Sequence, residues 1–223
     1  MAGRGPTTTL RLLDIACGTG NQQIANRNLA PEAKFVGLDG SLGMLRQARR
    51  KMPAIAWVHG DSAALPFAST TFDFISCQYA FHHFRDKAGM LREALRVLQP
   101  GGRFALYNMC PQESDDWLYY AYFPEAKTRD FADFWPLDAI VSEMTAIGFA
   151  EVEVARRHVH RERELAELLS AVRFRERNSQ LLSLSDSAYV AGLRRIERDF
   201  DDPQTPKARA DHLCFITVRG DRP

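Results

Sequence analysis

The chain has 223 residues, 45% of them hydrophobic and 26% charged, the composition of one ordinary soluble globular domain. Its 29 Lys+Arg against 28 Asp+Glu leave a formal charge of +1, without the basic excess that binds a phosphate backbone or an anionic membrane surface. No apolar run approaches the roughly 18 residues that span a bilayer. Met1 to Thr7 lacks the apolar core of a signal peptide, and the four cysteines (Cys17, Cys77, Cys110, Cys214) form no metal-spaced pair. The expectation is a cytoplasmic protein with reduced thiols, no metal, and no nucleic-acid or membrane partner.

The first half is punctuated by turns: eleven of the fourteen glycines precede residue 103. Leu10 to Ile15 reads as a buried strand entering the turn at Gly18–Thr19–Gly20, with a helix over about 20–29. Lys34 to Asp39 is a second strand, and Ser41 caps a helix to about Lys51. Ile55 to His59 and Phe72 to Cys77 are the third and fourth strands. Asp86 caps a helix to about Leu98, and Pro100–Gly101–Gly102 turns the chain into a fifth strand, Arg103 to Tyr107. Such alternation of strand and helix specifies a parallel sheet covered on both faces.

Residues 117–135 then hold eight aromatics, suited either to the core of a helical segment or to an apolar or planar substrate pocket. Pro136 to Ile147 reads as a helix, Phe149 to Val154 as a sixth strand, about 161–200 as helical, and His212 to Val218 as a last strand. Arg173, Arg175 and Arg177 alternate with other residues there; one of them could grip a substrate carboxylate, though most read as solvated.

The stretch Asp14-Ile15-Ala16-Cys17-Gly18-Thr19-Gly20-Asn21 carries the chemistry. Glycines between a strand and a helix start let a ligand approach free backbone N–H groups. The dinucleotide fingerprint requires a third glycine where this chain has Gln23, which disfavours a nicotinamide oxidoreductase. A carboxylate at Asp14 repels phosphate but suits a cationic ligand. Asp39, ending the second strand, can accept from both ribose hydroxyls, and Asp61, ending the third, from an adenine amine. Three acids at neighbouring strand ends fit a cationic adenosine derivative.

These segments, with Val36-Gly37-Leu38-Asp39, Gly60 to Phe67, Phe72-Asp73-Phe74-Ile75 and Leu95 to Gly102, resemble the successive motifs of class I S-adenosylmethionine-dependent methyltransferases. More narrowly they resemble the group of the ubiquinone and menaquinone methyltransferases. The resemblance covers about residues 10–110. It implies an α/β, Rossmann-like doubly wound seven-stranded sheet, ordered 3-2-1-4-5-7-6 with the last strand antiparallel, and here with a helical cap between the last two strands. It implies S-adenosylmethionine as cofactor and a small-molecule methyl acceptor. Gly18 and Gly20 would line the methionine part, with Asp14 helping to hold its amino group through the loop or water. Ala16 and Cys17 of the same turn would also be cofactor-binding. Asp39 would hold the ribose, and Gly40 and Met44 would lie near the adenine. Asp61 and the Ser62 backbone would read the adenine edge, and Cys77 and Gln78 would flank the methionine tail.

Ala16 stands where many members have glycine, and members usually carry a longer segment before the first motif. The expected organisation is a single methyltransferase domain over 1–223, with 10–110 holding the cofactor and 111–135 and 160–205 forming a cap that selects the substrate. His82 and His83, after the fourth strand, are the candidate general bases, or else pack a helix start. Cys17, Cys77 and Cys110 would end neighbouring strands, as small packed side chains or as soft ligands. The oligomeric state is left open, with a homodimer as one candidate. A regulatory cofactor-binding protein of the same fold is the competing class.

Overall fold

The computed structural model describes residues 9–114 and 116–223. Met1 to Thr7, where the absence of a leader is read from the sequence, lies outside them. The chain divides into two compact units, one of residues 9–108, Leu137–Ala155 and Ile216–Pro223, the other of Met109–Pro136 and Arg156–Phe215.

The first unit is built from β1 (Arg11–Ile15), α1 (Asn21–Leu29), β2 (Lys34–Asp39), α2 (Leu42–Lys51), β3 (Ala56–His59), β4 (Phe72–Gln78), α3 (Lys87–Val97) and the start of β5 (Leu98–Met109). β1 pairs in parallel with β2 on one side and β4 on the other; β2 pairs with β3, and β4 with β5, also in parallel. A strand covered on both faces must be apolar throughout, and Leu13, Ile15, Leu38 and Ile75 are almost fully buried. The helix starts are fixed by side chains. Ser41 Oγ accepts from Met44 N–H, and Asp86 Oδ1 accepts from Gly89 N–H at 2.7 Å. The apolar stripe of α3 (Met90, Leu91, Ala94, Val97) is buried, and α3 packs on α6 (Leu137–Ile147).

The remaining strands are β6 (Ala150–Glu164) and β7 (Ala208–Asp221), and the seven-stranded sheet has the order β3-β2-β1-β4-β5-β7-β6. β7 runs antiparallel: Gly101 N–H donates to Arg222 C=O and Arg222 N–H to Gly102 C=O, whereas Cys110 N–H donates to Cys214 C=O. This is the doubly wound, mixed sheet expected.

The second unit holds α4 (Leu118–Tyr122), α5 (Pro124–Asp133), α7 (Leu165–Val172), α8 (Ser179–Leu182) and α9 (Asp186–Asp201). Trp117, Tyr119, Tyr120, Tyr122, Phe123 and Phe134 are buried together with the apolar stripe Leu165, Leu168, Leu169 and Val172. The aromatic stretch is thus the core of this unit. Tyr120 Oη donates to Asp130 Oδ2 at 2.8 Å and Tyr122 Oη to Asp199 Oδ2 at 2.9 Å, so both buried hydroxyls are satisfied internally.

Several boundaries differ from the sequence reading, among them the last strand, which runs Ala208–Asp221 and not only His212 to Val218. β5 begins at Leu98, five residues early, because Phe72 pairs with Leu98 and Phe74 with Arg103, the Pro–Gly–Gly turn forming an irregularity within the strand. β6 continues to Glu164, into the stretch that the sequence pattern gives to a helix; its outer half is largely exposed and shows no apolar alternation. The helical stretch is broken into three helices and a 3-10 turn, Arg175–Arg177, because Asn178 and Ser185 each cap a new start.

Candidate cofactor-binding site

The turn after β1 is held in an unusual backbone conformation. Ala16, Gly18 and Gly20 all lie in the left-handed region, with φ of 59°, 56° and 77°. For Ala16 this carries a steric cost that glycine would not have. Each turn residue is fixed by a neighbour. Cys17 N–H donates to Leu38 C=O at 3.0 Å and Gly20 N–H to Cys17 C=O at 3.0 Å. Gly18 N–H donates to Asp39 Oδ2 at 2.8 Å.

Asp39 is therefore more than a strand end. Its other oxygen, Oδ1, accepts from Ser41 N–H at 2.7 Å. One carboxylate ties the β1 turn to the start of α2. A carboxylate has about four acceptor positions, so two remain for a ligand.

The two glycines of the turn differ in what requires them. A Cβ at Gly20 would fall 2.3 Å from Trp57 Cη2, whereas at Gly18 it would meet only Met44 Sδ, at 3.7 Å. Gly20 is needed for packing beneath the indole, and Gly18 leaves open space beside Met44.

A cavity of about 500 Å³ lies at these strand ends, within the first unit, and is of a size that holds a small cofactor. Among the residues named from the sequence it is lined by Ala16, Asp39, Gly40, Asp61, Ser62 and His83. Asp61 Oδ1 accepts from Ala63 N–H at 2.9 Å, which orders the turn that presents Ser62. His59, Phe84, Arg85 and Asp86 also line it and were not anticipated. His59 Nε2 lies 3.1 Å from Gly40 C=O. Its position next to Gly60–Asp61 was the available signal; Arg85 has no comparable motif.

The other named residues lie behind or beside the cavity. Asp14 is buried and accepts from Ser76 Oγ at 2.6 Å. Burial, opposed by that bond and reinforced by the Asp39 charge, raises its carboxyl to a pKa of about 6. Cys17 and Cys77 are buried, and desolvation holds both thiols well above their ordinary range, so they are neutral, poorly ligating thiols. Gln78 is half-buried and Met44 exposed, and neither lines the cavity.

His82 and His83 sit on a 3-10 turn, Phe81–His83, with ring centroids 3.9 Å apart. His82 is the more buried, and desolvation with the neighbouring His83 depresses its pKa to about 3, against a hydrogen bond from its ring to Asn108 that opposes the shift. It is neutral at physiological pH and a weak base. His83 is the exposed member and lines the cavity.

In the second unit Arg175 Nη1 is paired with Asp186 Oδ1 at 2.6 Å and its guanidinium lies over the Tyr189 ring. Arg173 contacts Glu197 at 3.4 Å. Both are engaged by their own unit; the side chain of Arg177 lies outside the described residues.

The β1 turn, through Ala16, an acid at the end of β2 and another after β3 thus meet at one cavity at the strand ends of the sheet. Residues 13–106 match the family described as a methyltransferase domain. The chain is 39% identical over 108 residues to the demethylmenaquinone methyltransferase of Deinococcus radiodurans, covering 47% of this chain and 45% of that protein. It is 38% identical over 107 residues to a 2-phytyl-1,4-naphtoquinone methyltransferase of Thermosynechococcus vestitus, covering 46% and 48%. The chain thus spans about half the length of the curated relatives it matches.

Solved structures share the fold more completely. A putative methyltransferase from an antibiotic biosynthesis pathway of Anabaena variabilis superposes with a TM-score of 0.76 at 19% identity, over 95% of this chain and 91% of that one. A phosphoethanolamine N-methyltransferase of Haemonchus contortus, solved with S-adenosyl-L-methionine, gives 0.61 at 20% identity, over 98% and 50%. Among the described residues no helix is long and apolar enough to cross a membrane.

Proposed function

We propose that this chain is an S-adenosylmethionine-dependent methyltransferase that moves a methyl group to a small-molecule acceptor by in-line displacement. The observation that carries the reading is the convergence of Ala16, Asp39, Gly40, Asp61 and Ser62 on one cavity beside the left-handed β1 turn. The donor set fits the cofactor: Asp39 has free acceptor positions for ribose hydroxyls, and Asp61 with the Ser62 backbone suits an adenine edge. Asp14 and Asp39 supply negative field toward a cationic sulfonium and ammonium.

The bound cofactor would supply an already activated methyl group, so the protein's task is to align the acceptor and exclude water. His83 is placed to take a proton where the acceptor carries one. His82, with its suppressed basicity, serves to position His83. Residues 10–110 hold the cofactor in this reading, while 111–135 and 160–205 select the acceptor. A cavity of about 660 Å³ within the second unit, lined by Tyr119, Glu167, Ser170 and Phe174, gives that selection a surface. The quinone methyltransferases among the relatives make a planar aromatic acceptor the first to assay. We place the enzyme in the cytoplasm, as a monomer or homodimer, without a nucleic-acid substrate.

Equilibrium titration with labelled S-adenosylmethionine, followed by transfer of the label to a panel of hydroxylated naphthoquinones, phenols and amines, tests the reading. Saturable binding and a methylated product are expected; absence of binding would overturn it. A second reading, a cofactor-binding protein without transferase activity, draws on a [4+2]-cyclase among the structural neighbours, at a TM-score of 0.59 and 16% identity. Binding with no product on any acceptor would favour it.

A further inference from the structure

Three of the chain's six histidines meet outside the cofactor cavity, in the second unit. His158 and His160 stand two apart on β6, where alternate side chains share one face, and His212 stands on β7, the neighbouring strand. His158 Nδ1 lies 3.0 Å from His212 Nε2. The His160 and His212 rings are parallel within 2°, with centroids 4.1 Å apart. One nitrogen from each of the three falls within 4.8 Å of the others.

We propose that His158, His160 and His212 form a binding site for a divalent transition-metal ion of the zinc class, bridging β6 and β7 with a fourth position open to water or an external donor. Bonds of about 2.0–2.1 Å at tetrahedral angles place ligand nitrogens roughly 3.3 Å apart; His158 Nδ1 and His212 Nε2 stand close to that spacing, and His160 must turn out of its stack on His212 to face the same ion. Neutral imidazoles suit zinc, nickel, copper and cobalt and are poor ligands for magnesium or calcium. All three rings are at least partly exposed, so an ion can enter.

The far side of His158 is also organised. Its Nε2 lies 4.0 Å from Cys214 Sγ, and the Cys214 thiol in turn points at Glu113 Oε2, 3.8 Å away. Arg156 Nε reaches both oxygens of Glu113, at 3.1 and 3.0 Å. A metal-bound histidine is characteristically oriented by a partner at its second nitrogen, and the Cys214–Glu113 pair occupies that place. Glu113, His158 and Cys214 are themselves within reach of one ion. That alternative centre is disfavoured because Arg156 already neutralises Glu113.

The test uses the full chain and zinc ions alone, in competition with a chromophoric chelator. One equivalent bound at micromolar or tighter affinity is expected. His160→Ala and His212→Gln should each weaken it by roughly a hundredfold, while Cys214→Ser should stay within about tenfold, as for a supporting partner. His212→Gln keeps a hydrogen-bonding group toward His158, so circular dichroism and the melting curve of that variant separate lost ligation from lost folding. With cobalt in place of zinc, visible ligand-field bands are expected without a thiolate-to-cobalt charge-transfer band. A charge-transfer band that vanishes in Cys214→Ser would assign the ion to the other triad and overturn the proposal. Binding that is submillimolar at best, or indifferent to both histidine variants, would overturn it as well. None of these readouts depends on methyl transfer.

Discussion

Replacing Asp39 by alanine perturbs two things that the structure joins in one side chain. The carboxylate accepts from Gly18 N–H and from Ser41 N–H at 2.8 and 2.7 Å, and it lines the cavity. Hydrogen bonds to an ionised acceptor are worth about 1.5–3 kcal/mol each, and both N–H groups can turn to water once the side chain is gone. A stability loss of about 2–4 kcal/mol is expected, lowering the melting temperature by roughly 5–15 °C for a chain of this size. Loss of the ribose acceptor weakens S-adenosylmethionine by at least about tenfold, or about 1.4 kcal/mol. To separate the two effects, calorimetric titrations of the parent and of Asp39→Ala are run below both melting transitions with S-adenosylhomocysteine and its 2′-deoxy analogue. If Asp39 receives the ribose hydroxyl, deoxygenation costs affinity in the parent and almost nothing in the variant. Equal losses in both proteins, or an unchanged affinity on Asp39→Ala, would refute the ribose assignment and leave Asp39 as a brace for the turn alone.

Other consequences can be measured without a substrate. Ala16→Gly relieves a left-handed alanine and should stabilise the protein by about 0.5–1 kcal/mol after the greater freedom of the unfolded chain is counted, read as a rise of roughly 1–4 °C in melting temperature. Asp14 binds a proton in the folded state up to a pKa of about 6, against an ordinary 3.8, so stability falls as pH rises through that interval and the deficit persists at pH 7. Asp14→Asn, which still accepts from Ser76, should be more stable than the parent at pH 7 by up to roughly 3 kcal/mol and show no advantage at pH 3; denaturant titrations at the two pH values check this. Gly20→Ala should cost at least about 3 kcal/mol and deplete the soluble protein, because the new methyl group meets the Trp57 ring. Gly18→Ala, with free space at its Cβ, should fold with a cost of about 1–2 kcal/mol from its backbone angle, as urea midpoints would show.

The elements legible in the sequence were those whose burial writes a pattern. β1, β2 and β4 are largely apolar runs closed by turns because both faces are covered, β3 is a short edge strand ended by Gly60, and Ser41 and Asp86 announced the helices they cap. The outer half of β6 was hidden since its residues, Arg156 to Glu164, are largely exposed and polar; pairing with β7 rather than burial keeps it extended. Asn178 and Ser185 were readable as caps, but the apolar stripes on either side favoured one long helix. Within the site, Asp39 and Asp61 were legible because strand ends converge in a parallel sheet. His59 and Arg85 were not, since loops bring them to the cavity without a spacing rule. The choice between His82 and His83 turns on one step of a 3-10 turn, which fixes which ring faces out. His158, His160 and His212 are split between strands 52 residues or more apart in sequence, and only the β6–β7 pairing joins them.

Trp57 covers Gly20 and Gly37 together, with Cβ positions on the two glycines only 2.3 and 2.6 Å from its ring. Its indole N–H is anchored to Met52 C=O at 2.9 Å, so the ring has little room to swing aside. The three positions, on three different elements, behave in descent as a single character. A lineage that acquires alanine at 20 or 37 must also exchange the indole for something smaller, and at 37 must in addition move Cys17 Sγ, 2.8 Å from the added Cβ. Gly20 is thus fixed twice, by its positive φ and by one tryptophan, and a related chain without that tryptophan would still bear the backbone strain of replacing it.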